Sequence, residues 1–213
     1  MICVKICGIT RPDDALLAAR AVASAIGLVF YPPSPRAVDG GAARDIVDAL
    51  PPFVTPVGLF VDAAVDLIVD CAHVVGFRTV QLHGDEPPRI AAELRMKRLA
   101  PIKAWRIGSE SDVDDWLAWD REGGRYVAGY LLDSRSTKGR GGTGETFSWS
   151  LIKDRRPKRP IILAGGLTPE NVARAVQAVS PWGVDVSSGV ESSPGVKDAE
   201  AVSQFVARVR LED

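Results

Sequence analysis

Short runs of apolar and β-branched residues recur along the chain, separated by longer stretches in which apolar residues return every three or four positions. The runs ICVKIC, AIGLVF, TPVGLF, RTVQLH, PIKAWRI, RYVAGYLLD, PIILAGG and WGVDVSS have the length and residue types of β-strands. Between them, PDDALLAARAVA, AARDIVDAL, AAVDLIVDCAHVV, PPRIAAEL, SDVDDWLAWD, PENVARAVQAV and VKDAEAVSQFVARVR have the spacing of amphipathic helices. Helix starts are signalled at Thr10 to Asp14, at Ser109 to Asp112 and at Thr168-Pro169-Glu170, where a hydroxyl can cap and proline suits the first turn. Strand and helix alternate over all 213 residues with no linker or shift in composition. That pattern predicts an α/β fold, a single (β/α)8 TIM barrel forming one domain over residues 1–213, rather than an open doubly wound sheet.

Strands of a parallel barrel are covered on both faces, so a polar side chain within one needs a reason. In ICVKICG, Ile2, Val4 and Ile6 share the face that must pack on helices, which turns Cys3, Lys5 and Cys7 to the barrel interior. The same alternation turns Gln81 and His83 inward in VQLHG, Asp133 inward in YLLDS, and Asp185 and Ser187 inward in GVDVSS. Singly, each has an ordinary structural explanation, as a small buried thiol, a satisfied core imidazole or a turn cap. Cys7, His83, Asp133 and Ser187 nevertheless all fall at the carboxyl ends of their strands, the catalytic face of such barrels, and this predicts one shared polar cluster.

Two small-residue loops, AGGLTPENV after the seventh strand and SSGVESSPG after the eighth, stand where barrels often bind phosphate through backbone N–H groups. They nominate Gly165, Gly166, Ser187, Ser188 and Gly189 as phosphate-binding residues. Arg36, in the proline-stiffened segment FYPPSPRAV, can clamp a substrate carboxylate bidentately. The polar, Gly-rich stretch from Asp133 to Trp149 reads as an extended loop over the same face, a mobile lid.

Composition narrows the partners. With Lys+Arg 26 against Asp+Glu 27, net charge −1 and pI near 6.2, nothing draws the chain to nucleic acid or to an anionic membrane. The opening MICVKICGIT is no secretory signal and no apolar run is long enough to span a bilayer, so a cytoplasmic protein is expected. Cys3, Cys7 and Cys71 lack disulfide or metal spacing, there is no dinucleotide fingerprint, and the two histidines do not suggest zinc, so neither cofactor nor metal is expected. The loops after the seventh and eighth strands suit a small phosphate-bearing partner, with the chain acting as a monomer or homodimer.

The segments VKICGIT, GLVFYPPSPR, VGLFVD, VQLHGDE, LLDS followed by GGTGETFSW, ILAGGLTPENV and VDVSSGVESSPGVKD resemble, in order and spacing, those of the phosphoribosylanthranilate isomerase family. The resemblance runs from the first strand to the last helix. It implies a cofactor-free Amadori rearrangement in tryptophan biosynthesis, converting N-(5'-phosphoribosyl)anthranilate to 1-(2-carboxyphenylamino)-1-deoxyribulose 5-phosphate. By similarity Cys7 is the general base, Asp133 the general acid, Arg36 the contact to the anthranilate carboxylate, and His83 and Asp185 line the site. The chain departs from the family pattern at Pro33 and Glu145, where lysine is frequent, and at Val22, where glycine is often found. Work near neutral pH would require the carboxyl of Asp133 raised and the thiol of Cys7 lowered from their ordinary values. The alternative is a non-catalytic or differently specific phosphosugar-binding barrel, since loops of this kind are shared among many such folds.

Overall fold

The computed structural model describes residues 1–134, 148–152 and 155–212. Eight parallel strands close into a barrel in sequential order: β1 (Cys3–Cys7), β2 (Ala25–Val29), β3 (Thr55–Phe60), β4 (Thr79–Leu82), β5 (Ala100–Ile107), β6 (Gly129–Ser134), β7 (Ile161–Leu163) and β8 (Gly183–Val186). The ring closes where β8 pairs with β1, with Val184 beside Val4 and Asp185 beside Lys5. Around it lie α1 (Pro12–Arg20), α2 (Gly40–Asp48), α3 (Val65–Val75), α4 (Pro88–Met96), α5 (Glu110–Gly123), α6 (Val172–Val179) and α7 (Ala199–Arg210). A small hairpin, β9 (Glu191–Ser193) and β10 (Val196–Lys197), stands between β8 and α7. No helix among the described residues is long and apolar enough to cross a membrane.

Side-chain alternation sorts the residues as expected. Val4, Ile6, Ile26, Leu28, Val80, Leu82, Leu132, Val184 and Val186 join the helices' apolar faces in one contiguous core outside the barrel wall. Inside the barrel, Ile102, Ala104, Leu131, Ile162 and Ala164 form one cluster, and Cys7, Val29 and Leu59 another. Each fully buried aliphatic side chain contributes roughly 1.5–3 kcal/mol, so a one-residue slip of any strand would be strongly opposed.

The structure differs from the expected segmentation at several places. Between β6 and β7, where the apolar spacing marks no helix, the described residues carry a 3-10 turn, Trp149–Ile152, with Ile152 fully buried. Residues 135–147, most of the expected lid and including Glu145, lie outside the described residues. The capping expected at Ser109 is present, its Oγ accepting from Asp112 N while Asp112 Oδ2 accepts from Ser109 N. Thr10 does not cap α1; its hydroxyl donates to the Gly195 carbonyl at 2.6 Å and ties the loop after β1 to the hairpin. The helix expected from Pro169 begins only at Val172, because Asn171 spends its side chain on Thr168 N and the Gly166 carbonyl and so holds the preceding residues in a turn. The helix expected from Val196 begins at Ala199, capped by Asp198, and Val196–Lys197 is strand instead.

Val22, just past α1, is left-handed, with φ 64, and is 65% exposed. A β-branched residue loses about 1–2 kcal/mol there and little burial compensates for it. We expect Val22→Gly to stabilise the fold by about 1 kcal/mol once the greater freedom of glycine in the unfolded chain is counted. Urea unfolding reads this as a higher midpoint; a midpoint at or below that of the parent would contradict it.

Candidate active site

One cavity of about 590 Å³ opens at the carboxyl ends of the strands. Cys7 reaches it from the end of β1, His83 from just past β4, Asp133 from β6 and Asp185 from β8. Arg36 enters from the loop after β2, Gly165 and Gly166 from the loop after β7, and Ser187, Ser188 and Gly189 from the loop after β8. Every residue singled out from the sequence for chemistry or phosphate binding therefore borders the same space. Val29, Leu59, Tyr31 and Val61 form an apolar wall next to Cys7.

The two glycine loops pack so closely that side chains could not fit. A Cβ on Gly165, where φ is 84, would lie 2.3 Å from Ser134 N, and one on Gly189 would lie 1.9 Å from the Leu167 carbonyl oxygen. The glycines leave backbone open at this end of the cavity beside Ser187 and Ser188, which suits an anion that seeks N–H donors.

At the opposite wall, His83 stands between Gln81 and Asp133. The Gln81 amide nitrogen is 2.8 Å from Nδ1, and Asp133 Oδ2 is 3.5 Å from Nε2. Asp133 Oδ1 accepts from the backbone N–H of Ser134 at 2.8 Å, which fixes the carboxyl with Oδ2 facing His83. The loop carrying His83 is braced by Glu86, whose carboxylate accepts from Asp62 N, from Gly84 N and from the buried Lys103 ammonium at 3.0 Å. Burial works against the charge on Lys103 and holds its pKa below the ordinary lysine value, although Glu86 opposes that shift.

Two expectations are corrected. Arg36 does line the cavity, but Nε and Nη2 are already engaged two-point by Glu191, at 2.8 and 2.7 Å. This occupies the Nε/Nη2 edge, so a substrate carboxylate is left the Nη1/Nη2 edge of the guanidinium. Glu191 is also bound by Lys197 at 2.7 Å, whose ammonium donates in addition to the Ser187 carbonyl. Burial resists ionisation of Glu191, yet its bonds to Arg36 and Lys197 prevail and its pKa lies below the ordinary carboxylate value.

The second correction concerns Cys7. Its thiol is not acidified: burial, reinforced by Asp185, pushes its pKa above the ordinary thiol value, and Lys5 and, more weakly, Lys197 pull it back only in part. Lys5 itself is buried. Desolvation disfavours its ammonium, but Asp185 and then Cys7 overcome this and hold it protonated well beyond the usual lysine range.

Sequence reasoning does not single out Glu191, Lys197, Glu86 or Lys103. The first two follow the eighth strand in a segment whose local pattern reads only as turn and helix, and nothing local marks Glu191 as the partner of a residue 155 positions earlier.

Comparison with known proteins agrees with this geometry. A sequence model of the family described as N-(5'phosphoribosyl)anthranilate (PRA) isomerase matches residues 4–208. An N-(5'-phosphoribosyl)anthranilate isomerase of Geotalea daltonii is 49% identical over 207 residues, covering 97% of this chain and 96% of the relative. The crystal structure of phosphoribosyl anthranilate isomerase from Thermotoga maritima superposes with TM-score 0.89 at 42% identity, over 99% of both chains. A phosphoribosyl anthranilate isomerase crystallised with reduced 1-(o-carboxyphenylamino)-1-deoxyribulose 5-phosphate superposes with TM-score 0.86 at 40% identity, also over 99% of both chains. With the family model matching residues 4–208 and relatives this similar over nearly their full length, the chain belongs to the N-(5'-phosphoribosyl)anthranilate isomerase family.

Proposed function

We propose that the protein converts N-(5'-phosphoribosyl)anthranilate to 1-(2-carboxyphenylamino)-1-deoxyribulose 5-phosphate, the aldose–ketose isomerisation of tryptophan biosynthesis. The reaction is carried by one domain spanning residues 1–213, in a cytoplasmic monomer or homodimer. The observation that supports this most directly is a thiol and a carboxyl bordering one cavity, Cys7 and Asp133, with backbone-lined loops at one end and Arg36 at another wall.

Asp133 protonates the furanose ring oxygen and opens the ring to an iminium at carbon 1, which acidifies the C–H at carbon 2. Cys7 as thiolate removes that proton, giving an enolamine that tautomerises to the ketone. Protons move and the substrate as a whole is neither oxidised nor reduced, so the chemistry needs no cofactor. The phosphate rests among Gly165, Gly166, Ser187, Ser188 and Gly189, where backbone N–H groups can meet it. Arg36 faces the anthranilate carboxylate, and His83 and Asp185 border the sugar.

The decisive experiment follows the fluorescence of N-(5'-phosphoribosyl)anthranilate after addition of purified protein. Catalysed loss of the signal is expected, with the ketose phosphate as product. Folded protein that binds the compound and leaves it unchanged would overturn the reading in favour of a silent phosphosugar-binding barrel.

A further inference from the structure

Of the side chains that β1 turns to the barrel interior, Cys7 stands at the rim and Lys5 one layer deeper. Lys5 is only 5% exposed, and its Nζ lies 2.8 Å from Asp185 Oδ1 on the adjoining strand. Barrel closure sets this pairing, because β1 and β8 meet with Lys5 opposite Asp185. On the other side β2 places Gly27 opposite Cys7. A Cβ on Gly27 would lie 2.7 Å from Cys7 Sγ and 3.0 Å from Lys5 Nζ, so both atoms border the one space that the missing side chain leaves. The ammonium is hydrogen-bonded to Asp185 and stands beside the thiol sulfur.

A buried Lys–Asp pair is a poor device for stability, since desolving both ions cancels most of their attraction. Its position beneath a thiol gives it a different use. We propose that Lys5, steadied by Asp185, is the positioning residue for Cys7: its ammonium is the counter-ion that allows the buried thiol to ionise. This rests on the reading of Cys7 as the base.

The other charges facing Cys7 do not replace Lys5. Lys197 on β10 and Arg36 after β2 are both bound to Glu191, and Lys197 eases ionisation of the thiol less than Lys5 does. Asp185 on β8 acts in the opposite direction, and His83 and Asp133 stand across the cavity beyond β4 and on β6. Among the groups that ease ionisation of the thiol against burial, Lys5 is the strongest.

The test uses the full chain with Cys3→Ser and Cys71→Ser, so that iodoacetamide can alkylate only Cys7 and its rate at each pH reads the thiolate fraction. Lys5→Met is expected to move the alkylation midpoint upward by about one pH unit or more and to slow alkylation about tenfold at neutral pH. The pH profile of kcat should move with it, so that activity lost at neutral pH returns in alkali, while Lys5→Arg should stay near the parent. Lys5→Met strands Asp185 as a buried unpaired charge, and this alone can prevent folding. The same comparison is therefore made between Asp185→Asn and the double variant Lys5→Met/Asp185→Asn, in which no ion is stranded; the double variant should titrate the higher of the two. Coincident alkylation profiles within that pair would overturn the assignment of Lys5, whatever the activities. A shift in alkylation with no matching shift in turnover would uphold the Lys5–Cys7 coupling and refute Cys7 as the base.

Discussion

Cys7→Ala should lower kcat by about 10²- to 10⁴-fold, the usual worth of a positioned base. The thiol is the one ionisable group that β1 presents at the rim of the cavity, and Lys5 beneath it is bonded into the barrel wall through Asp185. The groups proposed to hold the substrate, Arg36 and the loops after β7 and β8, come from other parts of the ring and do not depend on the sulfur. Affinity for N-(5'-phosphoribosyl)anthranilate should therefore stay close to that of the parent, so that kcat and kcat/KM fall together, the mark of an interaction made only in the transition state. Steady-state fluorescence kinetics beside equilibrium binding to the variant separate the two. Near-normal turnover would remove Cys7 from its role. Because burial holds the thiol above its ordinary pKa, the parent's kcat should also rise from neutral toward alkaline pH as the thiolate population grows.

Asp133→Asn is the second large effect expected, again a loss of about 10²- to 10⁴-fold in kcat with substrate binding retained. Asparagine has the same shape. Its Oδ1 can keep the bond to Ser134 N, which in the parent is 2.8 Å, and only the transferable proton is lost. A cavity that keeps its geometry and loses its rate isolates the acid function. If the variant turns over at nearly the parental rate, the acid must be sought in His83, whose Nε2 lies 3.5 Å from the same carboxyl.

The small barrel is legible in the sequence because its signals are local. Eight short apolar runs at regular intervals specify eight strands, and the period of two tells which side chains enter the barrel. From that alone Cys7, His83, Asp133 and Ser187 fall on one rim with Asp185 turned inward, and the structure lines one cavity with all five. The loops after β7 and β8 are equally readable, because small residues mark places where two segments of backbone must nearly touch. Where side chains compete with the helix, local signals fail, as at Asn171, which delays the start of α6.

What the local pattern cannot hold is charge placement. Lys5 finds Asp185 across 180 positions and Arg36 finds Glu191 across 155, pairings that exist only because the ring closes and brings β8 and its hairpin against β1 and the loop after β2. The acidity of Cys7 belongs to the same class. Thiol acidity depends on the depth of burial and on every charge nearby, so the sequence placed the group while only the closed barrel decided how readily it ionises.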